Sequence, residues 1–254
     1  MSLMPLRRLG LLLLALALGA AESRAQWEIF AERIPADGSW ATYRVTRQKA
    51  GEEPSASEIR ISSRDGTVVE GVPCVWLEIS PVKWLGSRNR GRLSFLIPRA
   101  IDGEKAGRLL FISKEILFTD PEKGPWYMTP SDVTWLTDKV SLASSCRLED
   151  AGRGDVADGA GVSHACAIRR LASRLALDPP FAKAQSTEIE GQVWRDESTP
   201  FGVVRAEWKE TTRKGGDSTE ETKRMELLAC GRDTALPPPI EPGEPFSLWR
   251  LIRR

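Results

Sequence analysis

Ala41, Tyr43 and Val45 alternate with Thr42 and Arg44, a period of two that puts the apolar side chains of 40–45 on one side of an extended chain. The alternation returns in 58–62 with Ile59 and Ile61, in 72–79 with Val75, Leu77 and Ile79, and in 93–97 with Leu93, Phe95 and Ile97. Asp65-Gly66 reads as a turn, and Pro98 ends its strand or holds it at an edge. Farther on, 189–195 places Ile189 and Val193 together, and Thr199-Pro200-Phe201-Gly202 turns the chain. The strongest hairpin signal follows. Two long amphipathic segments, 203–210 and 222–230, flank Gly215-Gly216, with Val204, Ala206 and Trp208 on one and Met225, Leu227 and Ala229 aligned on the other.

Other stretches break the pattern. In 108–119, the residues Leu109, Leu110, Phe111, Ile112, Ile116 and Leu117 fit a buried strand pair or a short helix. Residues 162–177 are also two-sided: Ile168, Leu171 and Leu175 keep helical spacing, whereas Cys166 and Ile168 keep strand spacing. The Pro/Gly-punctuated 120–130 reads as a link, in which the bulky Trp126 and Tyr127 need a pocket or a partner. Ser131-Asp132 then reads as the cap of a short helix carrying Val133, Leu136 and Val140, and 149–161, with four glycines, as a loop. These elements sum to a mainly β chain: a strongly curved antiparallel sheet with one or two short helices. Its single apolar face must be covered by curling, by helices or by a ligand.

The ends of the chain are different. Arg7-Arg8, an apolar run from Leu9 to Ala21, and Ser23-Arg24-Ala25 predict a signal peptide over 1–25, cut before Gln26. That implies export, to the periplasm where the host has two membranes, with no stable membrane insertion by so short a run. Residues 26–235 read as a single β-rich domain, and 236–254, rich in proline and ending in basic residues, as an extended tail outside the fold. With 36 basic and 35 acidic residues interspersed, the chain has no global field for nucleic acid.

Some residues resemble a known group. Ser39-Trp40-Ala41-Thr42-Tyr43-Arg44-Val45, Glu70-Gly71-Val72-Pro73-Cys74-Val75-Trp76-Leu77-Glu78-Ile79 and Gly124-Pro125-Trp126-Tyr127-Met128-Thr129-Pro130 are similar to bacterial exported proteins grouped with the outer-membrane lipoprotein-sorting (lipoprotein carrier) superfamily. So are 199–208 and Met225-Glu226-Leu227-Leu228. The resemblance implies a half-open β-barrel whose concave face, plugged by helices, leaves an apolar cavity for acyl chains, with no catalytic residues.

Candidate chemistry is sparse. The candidate ligand-lining positions are Tyr43, Val45, Ile59 and Ile61 in the first two strands, Leu77, Phe95 and Ile97 in the next two, Phe111 beyond them, and Trp208 and Leu227 in the last hairpin. The same positions would equally make a plain core. Four cysteines in an exported chain suggest two disulfides. Of three possible pairings we favour Cys146–Cys166, stapling the glycine-rich loop, which leaves Cys74–Cys230. His164, the one histidine, stands beside Ser163 with Ser144 and Ser145 nearby in sequence, but no nucleophile-elbow motif accompanies it, and no metal or cofactor motif occurs. Asp150, Asp155 and Asp158 do not match a calcium-loop spacing. The expectation is a non-enzymatic carrier of a lipid or lipoprotein acyl chain, or alternatively an envelope module that binds a protein partner.

Overall fold

The computed structural model describes residues 34–83, 90–100, 112–120, 124–132, 141–178, 183–233 and 244–245. The leader 1–25, Phe111, Val133, Leu136, Val140 and most of the proline-rich tail lie outside them. Six strands come first: β1 (Ser39–Lys49), β2 (Ser55–Val69), β3 (Val72–Lys83), β4 (Arg90–Pro98), β5 (Glu115–Asp120) and β6 (Gly124–Met128). A second run follows with β7 (Ser141–Ala157), β8 (Ser163–Asp178), β9 (Gln185–Arg195), β10 (Val203–Lys214) and β11 (Asp217–Arg232), and β12 is the two-residue Glu244–Pro245.

All belong to one sheet, ordered β12-β6-β5-β4-β3-β2-β1-β11-β10-β9-β8-β7. Each run is a meander of sequential neighbours, and the two join where β1 pairs antiparallel with β11. Every pairing is antiparallel except that of β12 on β6. Among the described residues no pairing links β7 to β6 or β12, so the sheet is curved but not closed into a barrel. Helix is confined to 112 and 130–132 of these residues, and none is long and apolar enough to cross a membrane.

The inner face carries one apolar cluster from β6 through β4, β1 and β11 to β8. Phe201, fully buried in the turn before β10, belongs to the same cluster. A smaller cluster of Val156, Cys166 and Val204, with Trp194 against it, sits on the other face.

Several local expectations change. The turn between β2 and β3 is Glu70-Gly71, both at positive φ, and not Asp65-Gly66. Gly66 instead lies inside β2 at a register shift, so close to β3 that a Cβ would stand 2.6 Å from the Cys74 carbonyl oxygen. The 149–161 stretch is mostly strand: Gly152, at φ 100°, absorbs a bulge opposite β8, and only 158–162 turns. Residues 162–177 are strand, as are 115–120 and, within the supposed link, 124–128. Trp126 sits in β6 with its ring centroid 6.0 Å from that of Phe118. The helix cap is Thr129 rather than Ser131-Asp132. Its hydroxyl accepts from the Asp132 N–H at 3.3 Å, the Asp132 carboxylate accepts from the Thr129 N–H at 2.9 Å, and Pro130 takes the first helical position. The tail is not wholly outside the fold, because Glu244–Pro245 pairs with Trp126 and Tyr127.

Neither expected disulfide is formed in the structure. Register explains it. Cys146 faces Ser173 on β8, seven positions from Cys166, which is about 23 Å along a strand. Cys74 on β3 is separated from Cys230 on β11 by β2 and β1, about 14 Å at ordinary strand spacing. Neither gap fits the Cα separation of a disulfide.

Candidate functional site

The candidate lining residues converge on one face. Tyr43, Val45, Ile61, Leu77, Phe95, Ile97, Trp208 and Leu227 all belong to the inner apolar cluster, none more than 8 % exposed, and Ile59 packs against it. Phe111 lies outside the described residues. Alternation brings them together: β1, β3 and β4 send every second residue inward, and the antiparallel register sets Tyr43 opposite Ile59, and Leu77 opposite Phe95. At Tyr43 the partner strand bulges, with Thr42 facing Ala229 and Tyr43 facing Leu227. The Tyr43 hydroxyl donates to the Val203 carbonyl at 3.2 Å, and burial pushes its pKa far above the ordinary phenol value. The Trp208 indole Nε1 is buried in this cluster without a hydrogen-bond partner.

At one end of the same face the side chains turn polar in step. Inward positions run Tyr43, Val45, Arg47 on β1, Trp208, Glu210, Thr212 on β10, and Leu227, Met225, Lys223, Glu221 on β11. The polar end of these rows, Arg47, Glu210, Thr212 and Glu221, bounds an open cavity of about 400 Å³ that is also lined by Gln185 and Thr187 on β9 and by Lys49, Lys214, Asp217 and Thr219. Arg47 donates twice to Glu221, Nε to Oε2 and Nη2 to Oε1, each at 2.9 Å. Lys49 reaches Glu221 at 3.2 Å, and the buried Lys223 donates to Glu210 at 2.7 Å. Burial works against an ionised Glu221, but Arg47, Lys223 and Lys49 outweigh it and hold the carboxyl below its usual range. Sequence reasoning missed this polar mouth. The switch from apolar to charged is visible strand by strand, but only the register reveals that it happens at the same end of each.

A second cavity, about 260 Å³, opens on the opposite face around Arg64 and Glu78, paired at 2.9 Å. Arg92 stands 3.8 Å from the same Glu78, and Arg60 donates to Asp233 at 2.9 Å while lying over the Trp40 ring. Its charges are met by one another.

His164 joins two turns. Its Nδ1 is 2.7 Å from Asp196 Oδ2 and its Nε2 is 3.2 Å from Asp158 Oδ2. Asp158 also accepts from the Ala160 and Val162 N–H groups, and Asp196 from the N–H and hydroxyl of Ser198. Both ring nitrogens are therefore turned to carboxylates and neither to a serine. Ser163 is its neighbour on the strand and points the opposite way. Ser145 faces Arg174, about 30 Å up the hairpin. The arrangement clamps the β7–β8 turn to the β9–β10 turn. Asp150 is likewise engaged, accepting from the Gly152 N–H and from Arg169 at 2.7 Å each. Among the described residues no group of His, Cys, Asp and Glu is placed to hold a metal.

No protein-family model matches the chain, and a search of curated proteins returns no match. Two solved structures do align with most of it. One is a DUF1329 family protein from Desulfovibrio piger, 10 % identical, covering 88 % of this chain and 95 % of that one at a TM-score of 0.29. The other is a LolA superfamily protein from Nitrosomonas europaea, 9 % identical, covering 85 % and 94 % at a TM-score of 0.27. With TM-scores this low, the description of the fold stands on the chain's own strand pairing.

Proposed function

We infer that this chain is a non-enzymatic binding or carrier protein of the cell envelope, exported by its leader, that holds an acyl chain or another apolar ligand against the inner face of its open sheet. The observation that supports this most is the unbroken apolar face, which spans an unclosed sheet and ends at an open polar mouth. Ligand sites are mostly apolar with a few polar groups that fix orientation, and this face has that composition. The ligand chain would enter from the mouth and lie beside Val45, Trp208 and Met225, the apolar residues that adjoin it on β1, β10 and β11. Native mass spectrometry of residues 26–254, purified from a bacterial periplasm without detergent, tests the reading. Excess mass that leaves on organic extraction and identifies as lipid supports it. A clean apoprotein that also takes up no added fatty acid overturns it.

A second reading has one observation in its favour. Glu244–Pro245 already adds a short parallel strand to the β6 edge, so that edge accepts extended chain, and an envelope protein partner could be bound in the same way. Deleting 236–254 and comparing co-purified proteins separates the two readings.

A further inference from the structure

The two edges of the sheet are finished differently. At one edge, β6 carries Pro125 and is covered by β12 of the same chain. At the other, β7 runs for 17 residues without a proline, and among the described residues no strand pairs with its outer side. Residues 145–153 are all exposed, so this edge is open to solvent. Alternate residues of an edge strand turn their N–H and C=O groups outward, a template for another strand. Proline, charge or a bulge usually guards such an edge. Here the bulge at 151–152 leaves 146–150 regular, and the charges along that segment change sign: Arg147, then Glu149 and Asp150. Asp150 is held by Arg169 and the Gly152 N–H, whereas the exposed Arg147 and Glu149 meet only loosely, at 3.5 Å. Between them Leu148, 38 % exposed, stands opposite the buried Leu171 and so carries the inner apolar face out to the rim.

We propose that a second copy of this chain pairs with this edge, β7 antiparallel to β7, with Leu148 opposite its own counterpart. The proposal stands independently of the carrier reading. A two-fold axis perpendicular to the sheet keeps both inner faces on one side, and such an axis passes between one residue and its counterpart. Within 146–150, the choice of that residue decides which charges meet. Centring on Arg147, Glu149 or Asp150 sets a charge against its own copy, which is destabilising. Centring on Cys146 sets Arg147 against Ser145 and Leu148 against Ser144, and matches nothing. Centring on Leu148 sets Arg147 against Glu149 twice, once on each side of the axis, on the outer face of the sheet. The two leucines then meet on the inner face. One register therefore covers the exposed leucine, pairs the open backbone groups and gives the loosely held charges a second partner. The regular segment is short, so the dimer is weak and forms at high concentration. It joins the two sheets into one, with their inner apolar faces side by side.

Sedimentation velocity of residues 26–254 from about 5 μM to about 1 mM, the range in which small interfaces associate, reads the change from monomer to dimer. Arg147→Glu, alone and together with Glu149→Arg, is compared with the unmodified protein after melting curves confirm that each is folded. The single change sets like charges opposite each other at both symmetric positions and should weaken the dimer about tenfold or more. The double exchange restores opposite charges in the same register and should return the affinity to within about threefold of the unmodified chain. In a third protein, Leu148→Cys is combined with Cys146→Ser and treated with a short bismaleimide. Mass spectrometry should find the peptide that carries position 148 joined to its own copy. A monomer at every concentration overturns the proposal and leaves the edge to an extended segment of another protein. A dimer that Arg147→Glu does not weaken, that the double exchange does not restore, or that is never cross-linked through position 148 also overturns it, because the copies then meet elsewhere or in another register.

Discussion

Lys223 Nζ lies 2.7 Å from Glu210 Oε2, and both side chains are more than nine-tenths buried on the face that otherwise buries Trp208 and Met225. The pair marks the border between the apolar face and its polar mouth. Lys223→Met leaves the Glu210 carboxylate buried without its cation and should lower stability by about 3–5 kcal/mol. The double change Glu210→Leu with Lys223→Met removes both charges and should recover most of that loss. Urea denaturation of the three proteins measures it. A double variant no more stable than the single one would show that the pair matters for more than its own charge balance.

Gly191 is fixed by close approach rather than by backbone conformation. A Cβ there would collide with the Glu207 carbonyl oxygen and stand 2.6 Å from the Trp208 Cβ. Because the first obstacle is backbone, Gly191→Ala should part β9 from β10, cost about 2–3 kcal/mol and shift tryptophan emission. Gly51→Ala is the control: no atom lies within 4 Å of its Cβ position, but φ is +79°, so its smaller penalty comes from backbone strain alone.

The His164 clamp predicts a pH dependence. Burial disfavours a charged imidazole, but the hydrogen bonds it donates to Asp196 and Asp158 outweigh it and raise the His164 pKa. For Asp158 and Asp196 burial also opposes ionisation, yet the N–H groups, Ser198 and His164 hold both below the usual carboxylate range. A raised histidine contributes fully below its unfolded value, about 6.5. That contribution is lost as pH rises through the folded value. The carboxylates contribute above about 3.9 and lose it as pH falls through their lowered values. The clamp is therefore strongest in mildly acidic solution. The urea midpoint should fall between about pH 6 and pH 9 in the unmodified protein and fall less in His164→Ala. Parallel profiles would contradict the clamp.

The thiols should react in a set order. Cys146 is exposed on the outermost strand, β7, whereas Cys74 and Cys166 are buried. Burial, helped by Asp196 and Asp155, pushes the Cys166 thiol up to about 11. Since the thiolate is the nucleophile, iodoacetamide on the folded protein should label Cys146 first and Cys166 last. All four should be labelled after unfolding without reductant. Fewer than four would reveal a disulfide.

The strands legible from sequence are those that bury one face from end to end. β1 keeps its alternation, and the β10–β11 hairpin keeps it between two bulges. One, at Val203–Arg205, puts Val204 on the outer face away from Ala206 and Trp208, and the other, at Leu227–Ala229, takes Ala229 out of line with Met225 and Leu227. Gly215-Gly216 turns the chain with both residues at positive φ. β8 was illegible for a physical reason: it changes its buried face along its length. Cys166 packs outward with Val156 and Val204, while Leu171 and Leu175 pack inward, so the apolar positions fall at spacings that imitate a helix. Gly152 hid β7 because a bulge glycine and a loop glycine look alike in sequence. Pro125 hid β6, which tolerates proline because only the two residues of β12 lie beyond it. Periodicity did place Tyr43, Leu77, Phe95 and Trp208 on one buried face. Arg47, Glu221 and Gln185 are brought to one cavity only by pairing across four strands, and no single segment carries that information.

The most direct test of the central claim is to locate a bound acyl chain. A fatty acid with a photoreactive diazirine in its chain is irradiated with the purified protein, and the cross-linked peptides are mapped by mass spectrometry. The account predicts adducts on inward residues of β1, β10 and β11, around Val45, Trp208 and Met225, which excess unlabelled fatty acid abolishes. Adducts confined to the outer face, or a pattern that the competitor leaves unchanged, would contradict it.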